Sequence, residues 1–133
     1  MNYEVVYRTL KTKLTALVPN ATVRLPNEEP ADNTELNIDV SVSEIDNNIY
    51  TEVSTKHDIS INLLLSVPVS IGTEQIHDIA SRLVTAFNPL SDGSFWTDGR
   101  EYFVRISSAG QRTPNISDTR YQINVRISAT IYT

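Results

Sequence analysis

The chain has 133 residues, 40% of them hydrophobic and 20% charged, which fits one globular domain spanning 1–133 and argues against a disordered chain. A domain of this length buries roughly 65–70% of its unfolded surface, enough for one core without staples. With no cysteine and a formal net charge of −5, it has no disulfide framework, thiolate metal site or cysteine nucleophile, and it lacks the net basic footprint of a nucleic-acid binder.

Tyr3, Val6, Tyr7, Leu10, Leu14, Leu17 and Val18 recur at helical spacing and predict a first amphipathic helix, with Glu4 and Arg8 paired at i,i+4 on its wet side. Pro19 ends it, because the residue before a proline is pushed out of the α region. After a loop rich in Pro, Asn and Glu, from Arg24 to Pro30, Leu36, Ile38, Val40 and Val42 alternate with Asn37, Asp39 and Ser41, the pattern of a half-buried strand. Residues 44–56 are polar and are left outside the strands. Ile59, Ile61, Leu63, Leu65 and Val67 then alternate again, up to Pro68. Thr73 is the expected N-cap of a second helix, whose stripe is Ile76, Ile79, Ala80, Leu83, Val84 and Phe87, with Asp78 and Arg82 on its outer side. Asn88-Pro89 stops this helix, and Asp92-Gly93 makes a turn.

Aromatic residues flank Asp98-Gly99, a pair that favours the positive φ angles of a type I′ hairpin turn. Tyr102, Val104 and Ile106 begin the strand that follows, with room for a short further strand at Phe95-Trp96. A polar loop from Ala109 to Asp118 leads to a last strand in which Tyr121, Ile123, Val125, Ile127, Ala129 and Ile131 alternate with polar residues. The expectation is an α+β domain in the order α-β-β-α-β-β. Its mostly antiparallel sheet of four to five strands has one wet face, and two amphipathic helices cover the other.

A search for chemistry returns no catalytic, cofactor-binding or metal-binding set. His57 and His77 are each followed by Asp, but sequence neighbours need not touch, and no G-x-S-x-G elbow or H-E-x-x-H pair accompanies them. His77 falls on the polar side of the second helix. Asp46-Asn47-Asn48 lacks the glycine and distal glutamate of a calcium loop and reads as loop solvation, and Glu28-Glu29 has no fixed separation. Trp96 with Phe95 and Tyr102 reads as cross-strand packing rather than a base-stacking platform, since no lysines flank it. The densest apolar stretch, Ile61 to Val69, is too short and broken to span a membrane. The start at Met1 shows no secretory leader, so Asn20-Ala21-Thr22 and Asn115-Ile116-Ser117 read as chance glycosylation matches.

What remains is interaction surface. Ile49 and Tyr50 sit inside a polar segment; they either pack over the sheet or meet another chain. Arg112 and Pro114, in the loop that ends at Ile116, have the same character, followed by Arg120 and Arg126 of the last strand. Charge is uneven: residues 21–58 carry nine acids against two bases, and residues 100–133 carry five arginines against two acids. This is either an ordinary solvated surface or a subunit whose one face meets the opposite face of its neighbour.

The order of elements resembles the tail terminator (tail completion) proteins of tailed bacteriophages. The likeness runs from about Tyr7 to Tyr132: a short leading helix at Tyr7 to Leu14, a Pro-containing loop, a strand at Thr34 to Val42, and a strand at Asp58 to Val67. Pro68 and Gly72 then lead into a helix with Ile79-Ala80, Leu83 and Phe87, followed by a hairpin around Asp98-Gly99 and a long strand from Tyr121. The polar segment 44–56 departs from that pattern. The resemblance implies a non-enzymatic virion protein without cofactor, made in the host cytoplasm and placed at the head-proximal end of the tail. It would form a homohexameric ring on the tail tube protein, stop tube elongation, offer a docking surface to neck and head-completion proteins, and let DNA pass without gripping it. Other readings are a different neck, head-tail joining or minor tail protein, or a small monomeric protein-binding module.

Overall fold

Two helices lie on one face of a single seven-stranded sheet. The structure, a computed structural model, describes residues 1–26, 28, 36–91 and 93–133. Thr34 and Glu35 at the head of the expected first strand, Pro30 and Glu29 in the loop before it, and Asp92 of the expected turn lie outside the described residues.

In chain order the elements are α1 (Tyr3–Leu17), β1 (Thr22–Arg24), β2 (Asn37–Thr51), β3 (Ser54–Pro68), α2 (Glu74–Ala86), β4 (Phe95–Trp96), β5 (Phe103–Gln111), β6 (Asn115–Ser117) and β7 (Arg120–Tyr132). The strands are ordered β1-β2-β3-β7-β5-β4, with β6 pairing the first residues of β7. The α+β class and the two amphipathic helices agree with the sequence expectation. The strand count of four to five does not, because β1, β4 and β6 are two- and three-residue strands too short to carry a period. Every pairing is antiparallel except β1 with β2, which is parallel.

The core follows from the two periods. Val6, Leu10 and Leu14 of α1 and Ile76, Ile79 and Leu83 of α2 are buried against the inward rows Ile38-Val40, Ile61-Leu63-Leu65 and Ile123-Val125-Ile127. Each such aliphatic side chain removed from water contributes about 1.5–3 kcal/mol. Asn2 caps α1 by accepting from the Glu4 amide at 3.1 Å. Thr73 precedes α2 but makes no capping bond. An N-cap aims its side chain from an extended backbone, whereas Thr73 is already near helical values at φ −112°, ψ −9°.

Two further expectations change. Residues 44–56 are not a separate polar segment: they prolong β2 and β3 into one hairpin, through the pairs Glu44↔Ile59, Asp46↔Asp58, Asn48↔Lys56 and Thr51↔Ser54. Ile45 is the extra residue of a bulge between Glu44 and Asp46. The Asp98-Gly99 turn is wider than type I′. Trp96 pairs with Phe103, and residues 97–102 form a loop closed by the Thr97 amide on the Tyr102 carbonyl at 2.9 Å. Positive φ does occur, but at Gly99 (72°) and Arg100 (55°), one position later than a type I′ turn at Asp98-Gly99 requires.

Candidate interaction surface

The helix layer stops short of the sheet. Its last polar contact with β2 is made by α1, where the Tyr3 hydroxyl donates to Glu44 Oε2 at 3.0 Å. One turn further along, the Tyr7 hydroxyl reaches the edge of β2, accepting from the Val42 amide at 2.9 Å and donating to the Val42 carbonyl at 3.3 Å. Beyond this point β2 continues from Ile45 to Thr51 as an outer strand. Its apolar residues stand in water: Ile45 is 68% exposed, Ile49 85% and Tyr50 62%, and Val53 in the connection is 93% exposed.

His57 anchors the base of this hairpin. Buried on the helix side of β3, it places Nδ1 3.1 Å from Glu44 Oε1 and Nε2 3.0 Å from Thr133 Oγ1. An ionised carboxylate only accepts, so Nδ1 carries the proton facing it. Asn47 Nδ2 donates to the same Glu44 oxygen at 2.8 Å. The hydrogen bonds from His57, Asn47 and Tyr3 hold the Glu44 carboxyl down at about 2. Burial, and then Glu44 itself, raise the Tyr3 hydroxyl above its ordinary value. The network ties β2, β3, α1 and the end of β7 together where the bulge begins.

The face of the sheet away from the helices carries two rows that differ in character. At the hairpin end, Lys56, Tyr132, Phe103 and Trp96 lie opposite one another across β3, β7, β5 and β4. Tyr50 meets Tyr132 edge-on at 5.0 Å, Trp96 meets Phe103 at 5.1 Å, and the Arg100 guanidinium lies 4.4 Å from the Trp96 ring centre. The next row on that face is Asp46, Asp58, Thr130 and Arg105, acid at the β2 edge and base at the β5 edge. Thr130 Oγ1 donates to Asp58 at 3.0 Å. Farther along β5, Arg112 and Arg126 border a shallow depression with Ser108, Gly110 and Ser128.

No family model matches the chain, and no curated protein does. Known structures share its fold. One of them superposes with a TM-score of 0.65 over 98% of this chain and 96% of its own, at 14% identity. That likeness extends to the architecture alone.

The residues singled out from the sequence fall in three places. Ile49 and Tyr50 are exposed at the tip of the β2–β3 hairpin. Arg112 and Arg126 are exposed together on the β5–β7 half of the open face, and Pro114 is half-buried just before β6. Arg120 is held within the chain, donating to Ser66 Oγ at 3.0 Å and to the Ser66 carbonyl at 2.9 Å. Asp46-Asn47-Asn48 is strand rather than loop. Glu28 is engaged by Lys11 at 3.1 Å, a contact that lowers its carboxyl. His77 is exposed as expected and sits 2.7 Å from the Tyr121 hydroxyl. Trp96 pairs with Phe103 rather than Tyr102, because Tyr102 closes the loop and leaves the strand to begin one residue later. Among the described residues no three His, Asp or Glu side chains converge as a metal site would need, and no helix is long and apolar enough to cross a membrane.

Sequence reasoning missed the His57–Glu44 network and the aromatic row. Both depend on strand register, which brings residues as far apart as Tyr50 and Tyr132, or His57 and Thr133, into contact and leaves no local signature.

Proposed function

We propose that this chain is a structural subunit of a tailed-phage virion, a tail terminator. Six copies close a ring that caps the tail tube, stops its growth and presents the surface on which the filled head docks. The observation that carries this reading is the outer strand β2 and its connection to β3, where Ile45, Ile49, Tyr50 and Val53 are mostly in water, with only the Tyr132 ring against Tyr50 among the described residues. A cluster of large apolar residues on an uncovered edge costs solubility and invites pairing, and a lasting protein uses such an edge rather than leaving it bare. A ring needs a patch that meets a different patch on the next copy, and an edge at one side of the sheet supplies it. The resemblance in element order gives this assembly its place on the tail. The net charge of −5 suits a channel through which DNA slides, because gripping phosphate requires clustered Lys and Arg.

The test is the mass of the purified chain across a concentration series, followed by co-sedimentation with a tail tube protein. A species of six times 14.9 kDa, or a monomer that becomes hexameric on the tube, is expected. A monomer at every concentration that also fails to bind the tube would overturn the reading.

A further inference from the structure

The two edges of the sheet are each only partly covered, and they carry opposite charge. On one side, β1 pairs only Asn37–Asp39 of β2 and Tyr7 occupies Val42, so the stretch from Ile45 to Thr51, paired with β3 on its inner side, has no strand on its outer side among the described residues. Asp46 and Glu52 are exposed there, and neither has a basic partner among the described residues. On the other side, β4 pairs only Phe103 and Val104 of β5, and Ser94 Oγ takes the Ile106 amide. Beyond that, β5 runs on with Ser107, Ser108, Gln111 and the following Arg112 exposed. Arg105, Arg112 and Arg126 are exposed, and none has an acidic partner among the described residues. Among the described residues the exposed ion pairs Glu4–Arg8 and Asp78–Arg82 are satisfied within one helix each, and Lys11–Glu28 ties α1 to the loop after β1.

We infer that the acidic β2 edge of one copy seats against the basic β5 edge of the next. Asp46 there faces Arg112 and Glu52 faces Arg105, with the bulge at Ser107 taking up the extra residue, and the uncovered apolar tip at Ile49 and Val53 is carried onto the neighbour. This rests on the reading of the chain as an assembling subunit and specifies how the copies meet. The direction of the strands agrees. β2, β3, β7 and β5 are each antiparallel to the next, so β2 and β5 point opposite ways. Set beside β5 of the adjoining copy, β2 runs antiparallel to it, so the open stretch 45–51 lies along the open stretch 107–112 of the neighbour, the arrangement that also suits backbone pairing at about 4.8 Å. Because the two patches differ, the contact is head-to-tail and repeats until it closes.

The experiment is charge reversal read by sedimentation velocity on the full chain at low and high salt, with circular dichroism as the control for folding. D46K/E52K and R105E/R112E are each expected to weaken association by about a hundredfold or more, since like charges brought together across an interface cost several kcal/mol. The four-residue variant carrying both reversals is expected to recover most of the wild-type affinity, and wild-type assembly is expected to weaken as salt screens the edges. If a double reversal fails to fold, the single pair D46K and R112E gives the same comparison. Wild-type assembly together with full assembly of both reversed variants would overturn this contact while leaving the ring standing. Loss in both variants without recovery in the combination would equally overturn it, because the edges would then be meeting different partners. A wild-type chain that never associates, alone or on the tube, would overturn the contact and the ring together.

Discussion

Tyr7→Phe tests whether the side-chain cap on β2 contributes to folding. The substitution keeps the ring and its packing and deletes only the hydroxyl that accepts from the Val42 amide at 2.9 Å and donates to its carbonyl at 3.3 Å. The first bond has ordinary geometry and the second is long, so the pair should contribute about 1–2 kcal/mol at a net of about 0.5–1.5 kcal/mol per bond. Tyr7 is half-buried, which lets water recover part of the loss and keeps the figure below that for two orphaned core groups. For a chain of this size the expected fall in Tm is roughly 3–8 °C. Urea denaturation of both proteins as monomers, at equal concentration, measures it; the midpoint should fall with the slope unchanged. A difference below about 0.3 kcal/mol, or a gain in stability, would refute the claim that the phenol closes this edge.

Tyr50→Asp should abolish assembly yet change unfolding free energy by less than about 1 kcal/mol, since the side chain is mostly in water and meets only the Tyr132 ring; parallel mass and denaturation measurements separate the two effects. Glu44 titrates near 2 in the folded protein, below its unfolded value, so its contribution is complete above about pH 4.5 and is lost as pH falls toward 2. Glu44→Gln should therefore flatten that part of the stability-versus-pH curve and leave its slope above pH 6 unchanged, as read by denaturation across pH. Gly93→Ala should destabilise by about 2 kcal/mol or more, because a Cβ there would lie 2.5 Å from the Phe87 backbone carbon at the end of α2, where nothing can move aside cheaply; thermal unfolding would show it.

Both helices and the alternating parts of β2, β3, β5 and β7 were legible because each has one dry and one wet side. Contrast between sides is what a period reports. Where that contrast disappears, so does the signal. From Asp46 to Glu52 both faces of β2 are in water, and its continuation as a strand is set by its pairing with β3 alone. β1 and β6 owe their existence to a neighbouring strand, since three residues have little preference of their own. For the candidate surface, Ile49 and Tyr50 stood out as apolar residues with nothing local to join, and they are indeed uncovered. The separation of acids from arginines along the chain was visible too. That it lies across opposite edges of one sheet was not, because edge position is decided by strand order: β7 inserts between β3 and β5.

That insertion also matters on the ribosome. β7 is the last of these seven strands to be synthesised and yet occupies the middle of the sheet, pairing with β3 along its whole length. Until it emerges, β3 has an open edge, Ile61, Leu63 and Leu65 lack the flanking row Ile123, Val125 and Ile127, and α2 has only part of its seat. The β3–β7 pairing joins segments far apart in sequence, so it is a non-local contact that forms late and slows folding. Substitutions in Val125 or Ile127, both fully buried on β7, would lower the yield of soluble protein by leaving that pairing incomplete.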